Sequence, residues 1–418
     1  MTHTLAQAQE LDRQDPLSAL REKFWIPLQK DGTPYVYLCG NSLGLQPKIT
    51  AQYLQQELED WKNLGVEGHF HAKNPWMPYH EFLTAYMAKI VGAKPSEVVV
   101  MNTLSVNIHL LMVSFYRPSK ERFKIIMEAD AFPSDRYAIE SQIKFHGYDP
   151  KDALVELKAR PGEVTLREED IHTTIRQTGD ALALVLLGGV NYYTGQAFDL
   201  KAITQEAHQV GSIAGFDLAH MAGNIDVALH DSGADFAAWC TYKYLNSGPG
   251  SVAGAFVHER HHQNHDLPRF AGWWGHDKAT RFNMRHDFKA IESAEGWQLS
   301  NPPILSLAAI RASLSIFAEV GMETLRDRAW RLTQYLRELL AQIPDGRIHV
   351  ITPSERHRCG AQLSIQIPNG NKKIFEQITA DGVIADWREP DVIRVAPAPL
   401  YNSYEDCYRF YEILRNAL

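Results

Sequence analysis

Between Glu97 and Val257 one pattern recurs: a short apolar run stops abruptly on a polar turn, and helical periodicity usually follows. The runs are Glu97 to Met101, Phe123 to Glu128, Ala181 to Val190, Ser212 to Asp217, Asp235 to Cys240 and Val252 to Val257, with helical stretches at Val106 to Phe115, Ala131 to Phe145 and Lys201 to Gln209. Runs this short and this continuous suit strands buried on both faces. Their alternation with helices predicts an α/β fold, a mostly parallel sheet with helices on both faces. In such a sheet ligands lie outside the carboxyl ends of the strands, so the polar residues that close each run are the candidates for function.

Two of those closures stand out. The run ending at Phe216 stops on Asp217, and the run ending at Cys240 stops on Thr241, Tyr242 and Lys243. The sheet puts an acid and an amine into one crevice. Pyridoxal phosphate needs that pair: a lysine holds its aldehyde as a Schiff base, and a carboxylate keeps the ring nitrogen protonated so that the ring withdraws electrons. Taken singly, Lys243 reads equally as a solvated surface amine and Asp217 as a turn or helix cap.

The other closures are compatible with a flat phosphorylated ring. After the first strand, Asn102-Thr103-Leu104-Ser105 opens a helix whose free N–H groups can face a phosphate, though it also reads as a plain cap. It has no glycine pattern of a nucleotide-binding loop. Phe132-Pro133-Ser134-Asp135 opens the next helix with an aromatic able to stack and an acid able either to cap or to touch a cofactor. The loop Gly40-Asn41-Ser42-Leu43-Gly44 reads as an ordinary turn or as a close backbone approach. His69, in an aromatic loop with Phe70 and Trp76, either faces an aromatic substrate or belongs to a core cluster.

His258-Glu259-Arg260-His261-His262 fits the zinc-protease pattern H-E-x-x-H, with His265 close behind. That chemistry needs both histidines on one face of a stable helix. This segment follows a strand directly and meets Pro268 soon after, so it reads as a polar surface turn, with no metal.

The chain of 418 residues carries a net charge of −8 and no basic stripe, which argues against nucleic acid or an anionic membrane as partner. Its four cysteines, Cys39, Cys240, Cys359 and Cys407, lack metal-site spacing and read as buried free thiols. Neither a signal peptide nor an apolar run of spanning length appears, so a cytoplasmic protein is expected. A first helix is expected from Asp15, as N-cap, to Phe24. Gly272-Trp273-Trp274-Gly275-His276 reads as an exposed aromatic loop, and Ser300 to Ile304 as a boundary. Long amphipathic helices follow over Leu305–Val320 and Met322–Ala341, and a smaller α+β unit closes the chain.

AFPSD, YYTGQ, FDLAHMAGN, WCTYKYLNSGPG, GWWGH, SNPPI and WREPDVIRVAPAPLYNS, in this order along a resemblance that stretches from about Asn41 to the last helix, resemble kynureninase, a pyridoxal-phosphate hydrolase of the aspartate-aminotransferase fold. The resemblance implies three units: residues 1–60 packing with the small domain and the dimer interface, a cofactor domain over 61–302 and a small domain over 303–418. It implies that Lys243 bonds the cofactor, Asp217 binds its ring nitrogen, Phe132 stacks on the ring, and Pro133, Ser134, Asp135 and His220 adjoin it. Leu104, Ser105 and Tyr242 would hold the phosphate, joined by Trp273 and Asn301 from the second subunit of a homodimer. Arg394 would grip the carboxylate of the amino-acid substrate, with His69 and Asn301 near its aromatic end. Gly188 departs from the small hydroxyl residue expected there. The implied reaction is hydrolysis of L-kynurenine, or its 3-hydroxy derivative, to anthranilate, or 3-hydroxyanthranilate, and L-alanine in tryptophan degradation. Tyr242 would transfer a proton, with the residue that activates water left open. The alternatives are a cysteine desulfurase using Cys359, an aminotransferase, or a binding protein without catalysis.

Overall fold

The computed structural model describes residues 3–284, 286–368 and 370–418. A seven-stranded sheet forms its centre, in the order Val98–Val100, Gly254–Val257, Phe236–Trp239, Ile213–Asp217, Leu182–Gly188, Lys124–Glu128, Leu154–Leu157. All neighbours are parallel except at Gly254–Val257, which runs against both of its own. The apolar runs therefore became the interior strands, as their unbroken hydrophobicity required. Helices cover both faces, and a separate apolar cluster lies on each side: Ile126, Val185, Phe216 and Ala237 face one, and Ile125, Leu184, Phe236 and Ala238 the other. Neighbouring residues on each strand thus point opposite ways.

A second body is built on the strands Asp386–Arg388, Val392–Val395, Leu363–Gln366 and His349–Val350, all antiparallel neighbours in that order. The helices Met322–Leu340 and Tyr404–Ala417 pack on it. The early strand Val36–Tyr37 pairs in parallel with Val383–Ile384, and Ala8, Val36 and Leu38 join the same apolar cluster. The helix Ile304–Val320 packs instead into the core of the large sheet through Leu307, Ile310 and Leu314. Among the described residues no single helix is long and apolar enough to cross a membrane.

The expected helix from Asp15 to Phe24 is not what forms. A helix spans Leu5–Gln14, capped by Thr4, and only a 3-10 turn occupies Ser18–Lys23. Asp15 ends the first helix, and its buried carboxylate accepts from Arg328 Nε at 2.6 Å. Its Oδ1 still accepts from the Leu17 N–H at 3.2 Å, as the expected cap would, while the other oxygen is held by the long-range ion pair. The aromatic loop near Trp273 is exposed only in part, since Trp274 is fully buried and lies against the Arg281 guanidinium.

Candidate active site

The strand ends converge on a cavity of about 330 Å³ lined by Leu104, Ser105, Phe132, Ser134, Asp135, Asp217, His220, Tyr242, Lys243, Arg388 and Arg394. Asp217 is the last residue of its strand, and its carboxylate is fixed by the Ala219 N–H at 2.7 Å. Asp135 donates to it carboxyl to carboxyl. Burial lifts both groups, and the neighbouring Asp217 charge lifts Asp135 further, so the pair shares a proton held on Asp135.

Lys243 follows the next strand, with its Nζ 3.0 Å from His220 Nε2. Burial, and then the Lys243 amine, hold the His220 imidazole well below its ordinary range, so it is neutral and its Nε2 accepts from Lys243 Nζ. The proton then sits on Nδ1, which is buried and has no hydrogen-bond partner among the described residues. Phe132 brings its ring centroid to 5.9 Å from Lys243 Nζ, with Tyr192 edge-on to it. The Tyr242 phenol is pushed up by burial and stays protonated.

Opposite this cluster the helix Leu104–Phe115 begins. Asn102, in the left-handed region at φ 51°, turns the chain out of the strand, and Thr103 at the N-cap makes no side-chain capping bond. The first N–H groups of the helix are thereby left for an anion. Ser105 and Ser134 hydroxyls meet at 2.9 Å beside them. Pro133 occupies the first turn of its helix and does not itself line the cavity.

Arg394 is buried on the small unit's central strand. Its Nη1 donates to the Tyr192 carbonyl at 2.6 Å, and its Nη2 to Ser42 Oγ at 3.2 Å and to Asp386. Ser42, Asp386, Arg388, Glu128 and Asn191 belong to this site and were not singled out for it from the sequence. Glu128 carried the signal that betrayed Asp217, an acid closing a buried strand.

Three expected residues lie elsewhere on this chain. His69 sits in the short helix Gly68–His71, with Nδ1 2.9 Å from the Val66 carbonyl and its ring edge-on to Trp76. Trp273 is partly exposed and donates to the Arg281 carbonyl, and Asn301 is exposed. None of the three lines the cavity.

The zinc-protease pattern is a 3-10 turn over Glu259–His261 rather than a helix. The ring of His262 is buried with Nε2 2.9 Å from the Val257 carbonyl, and His258 stacks on His230. Glu259 and Arg260 are exposed and no residue of the turn is buried, so it is the polar surface turn expected, with only His262 behind it turned inward. Glu97, His230 and His258 bring ligand-type atoms within 4.8 Å of one another, but Glu97 Oε1 already accepts from His230 Nδ1 and the Glu259 N–H, each at 2.9 Å.

Residues 325–414 match the family model of the kynureninase C-terminal domain. A kynureninase of Myxococcus xanthus is 58% identical over 407 residues, which is 97% of this chain and 96% of that one. A kynureninase of Flavobacterium psychrophilum is 53% identical over 419 residues, covering 100% and 98%.

The chain belongs to the kynureninase family.

Solved structures at lower identity share the fold. The cysteine desulfurase of Thermococcus onnurineus has a TM-score of 0.77 at 18% identity, covering 95% of this chain and 96% of its own. An Escherichia coli cysteine desulfurase has 0.76 at 15%, covering 100% and 99%. A C-DES mutant with glycine linked to its PLP cofactor has 0.77 at 14%, covering 91% and 96%. These fix the aspartate-aminotransferase-like architecture expected from the sequence. Kynureninase family membership speaks against the desulfurase alternative. So does Cys359, which is fully buried, with its thiol pushed up by burial.

Proposed function

We propose that this protein hydrolyses L-kynurenine to anthranilate and L-alanine with pyridoxal phosphate as cofactor. The observation that carries the reading is a half-buried amine, Lys243, 3.0 Å from His220 Nε2 in a cavity that also holds the carboxyls of Asp135 and Asp217. The residues present fit the cofactor. The buried, unpartnered His220 Nδ1, the uncapped helix start at Leu104 and the two hydroxyls of Ser105 and Ser134 are the polar groups that a phosphorylated pyridine would occupy. Asp217 would hold its ring nitrogen, Phe132 its face, and Leu104, Ser105 and Tyr242 its phosphate. When bound, the cofactor supplies an electron sink for charge formed at the amino acid's α-carbon.

The chain's own groups then do the rest. Arg394 binds the α-carboxylate with a geometry that lysine would not reproduce. Lys243, once free, is the base for the α-proton, while the imidazole of His220, being uncharged, does not raise the cost of that proton's arrival. Tyr242, protonated at neutral pH, gives a proton to the alanine fragment after the bond between Cβ and the side-chain carbonyl carbon breaks. The oxygen of water ends in the anthranilate carboxylate.

The reading includes a cytoplasmic homodimer in which Trp273 and Asn301 of one subunit complete the phosphate site of the other, with His69 and Asn301 toward the aromatic end of the substrate. It also includes a division into residues 1–60, 61–302 and 303–418. The first test is direct: the purified protein should be yellow and bleach with borohydride, and the reduced adduct should map to Lys243. It should release anthranilate and alanine in equal amounts from L-kynurenine. Mapping to another lysine, or formation of a keto acid instead, would overturn the proposal.

A further inference from the structure

Glu128 has no role in the reaction above, yet it is buried at the end of a central strand and lines the cavity. Its Oε2 accepts from the Gly188 N–H at 2.8 Å and its Oε1 from Asn191 Nδ2 at 2.7 Å. Asn191 in turn shapes a turn: its Oδ1 accepts from the N–H groups of Tyr193 and Thr194 at 3.0 and 2.9 Å and from the Thr194 hydroxyl at 3.1 Å. The carbonyls of that turn are where the small unit lands. Tyr192 O accepts from Arg394 Nη1 at 2.6 Å and Gln362 Nε2 at 3.0 Å, and Thr194 O accepts from Thr352 Oγ1 at 2.6 Å.

The two other anchors of Arg394, Asp386 and Ser42, lie on the small unit and on the loop that leads into it. Tyr192 O is the anchor that comes from the sheet bearing Lys243. It therefore sets the span between the guanidinium and the amine, which the substrate must bridge with its carboxylate and its α-nitrogen. Behind Glu128 and Asn191 lies a second cavity of about 200 Å³, lined by both. Both side chains of the pair are held by hydrogen bonds, Glu128 from the Gly188 N–H and Asn191 from the turn it shapes.

We propose that Glu128 is a positioning residue for Arg394: by fixing the Asn191 side chain it fixes the Tyr192 carbonyl, and with it the guanidinium that meets the substrate's carboxylate. This rests on the reading of Arg394 as the carboxylate-binding group.

The carboxylate offers acceptors to two N–H donors, and glutamine of the same shape offers one acceptor and one donor. Asn191 cannot turn over to compensate, because its own oxygen already accepts three bonds. In the cofactor-loaded protein, Glu128→Gln is expected to raise the KM for L-kynurenine about tenfold, with kcat falling by less and cofactor content unchanged. The Kd for L-alanine, read without turnover from the shift of the visible band, should rise by a similar factor. Asn191→Ala, which keeps the carboxyl and removes the relay, should raise the same two constants. Glu128→Gln combined with Asn191→Asp restores a donor facing an acceptor and should return both constants towards the starting values. Starting values in either single variant, no recovery in the double variant, or a KM that follows cofactor loss would each overturn the inference. Arg394→Gln separates the two levels: an unchanged L-alanine Kd there sinks the carboxylate reading itself. Weaker L-alanine binding there with none in Glu128→Gln sinks only the role of Glu128.

Discussion

At the scale of single residues, the site works by moving charges away from where they would sit in water. Burial neutralises His220 and lifts Asp135, so the cavity holds fewer charges than its list of ionisable side chains suggests. Tyr242 is the clearest point to probe, because its hydroxyl is the part proposed to act. Tyr242→Phe should keep the visible absorption of the loaded protein while kcat falls about a hundredfold, the usual worth of a positioned proton donor. Rapid-quench measurement of anthranilate and alanine would check it, and an unaltered kcat would remove Tyr242 from the chemistry. The pair Asp217 and Lys243 was legible in the sequence because each closes an unbroken apolar run. Glu128 closes one too, but a strand-end acid alone does not say what it will meet. Ser42 and Asp386 were illegible for another reason: their meeting with Arg394 depends on a loop and two strands more than three hundred residues apart in the chain.

At the scale of elements, continuous hydrophobic runs placed the central strands within a residue or two, whereas short or polar elements escaped notice. The strand Leu154–Leu157, only one of whose residues is buried, lies at the sheet edge and lacks the uniform apolar signal of its neighbours. The first helix escaped because its mean character is polar and its one buried residue is Ala8. A 3-10 turn, Ala294–Trp297, shows how such minor elements are pinned. Glu295 within it faces His80 at 2.9 Å and Lys278 at 2.8 Å. Burial pushes its carboxyl up, but His80 and Lys278 outweigh that and hold it at about 2. The folded value lies below the unfolded one, so the stabilisation is fully present above about pH 5 and is lost as pH falls towards 2. Glu295→Gln should cost about 1–3 kcal/mol near neutrality. Denaturant melts at several pH values should show that difference shrinking in acid, and a constant difference would refute the ion-pair account.

At the scale of the whole molecule, the proposed homodimer is the point to test. Trp273 and Asn301 lie off this chain's own cavity, as residues serving a neighbour's site would. If the site is shared, Lys243→Ala and Asn301→Ala chains, each feeble alone, should regain activity when unfolded together and refolded. Random pairing then gives up to about one quarter of the native activity, since half the dimers carry one intact site. No recovery would mean that each chain works with its own Asn301. The architecture itself was legible from the alternation of runs and helices. The pairing of Val36–Tyr37 with Val383–Ile384 was not, because two-residue strands owe their existence to their partners.

The loop after Val36–Tyr37 also reaches the other body. The N–H of Gly44 donates to the Tyr242 carbonyl at 2.8 Å, and a methyl group at that glycine would run into the Lys243 carbonyl and the Asn246 side chain. The backbone beneath the reactive amine is therefore braced by a stretch of chain threaded two hundred positions earlier, and that stretch is itself tethered to the body carrying Arg394. A protease nick ahead of Gly44 would loosen the amine and the guanidinium together, so damage at one extremity would silence chemistry at the centre while leaving the great sheet intact.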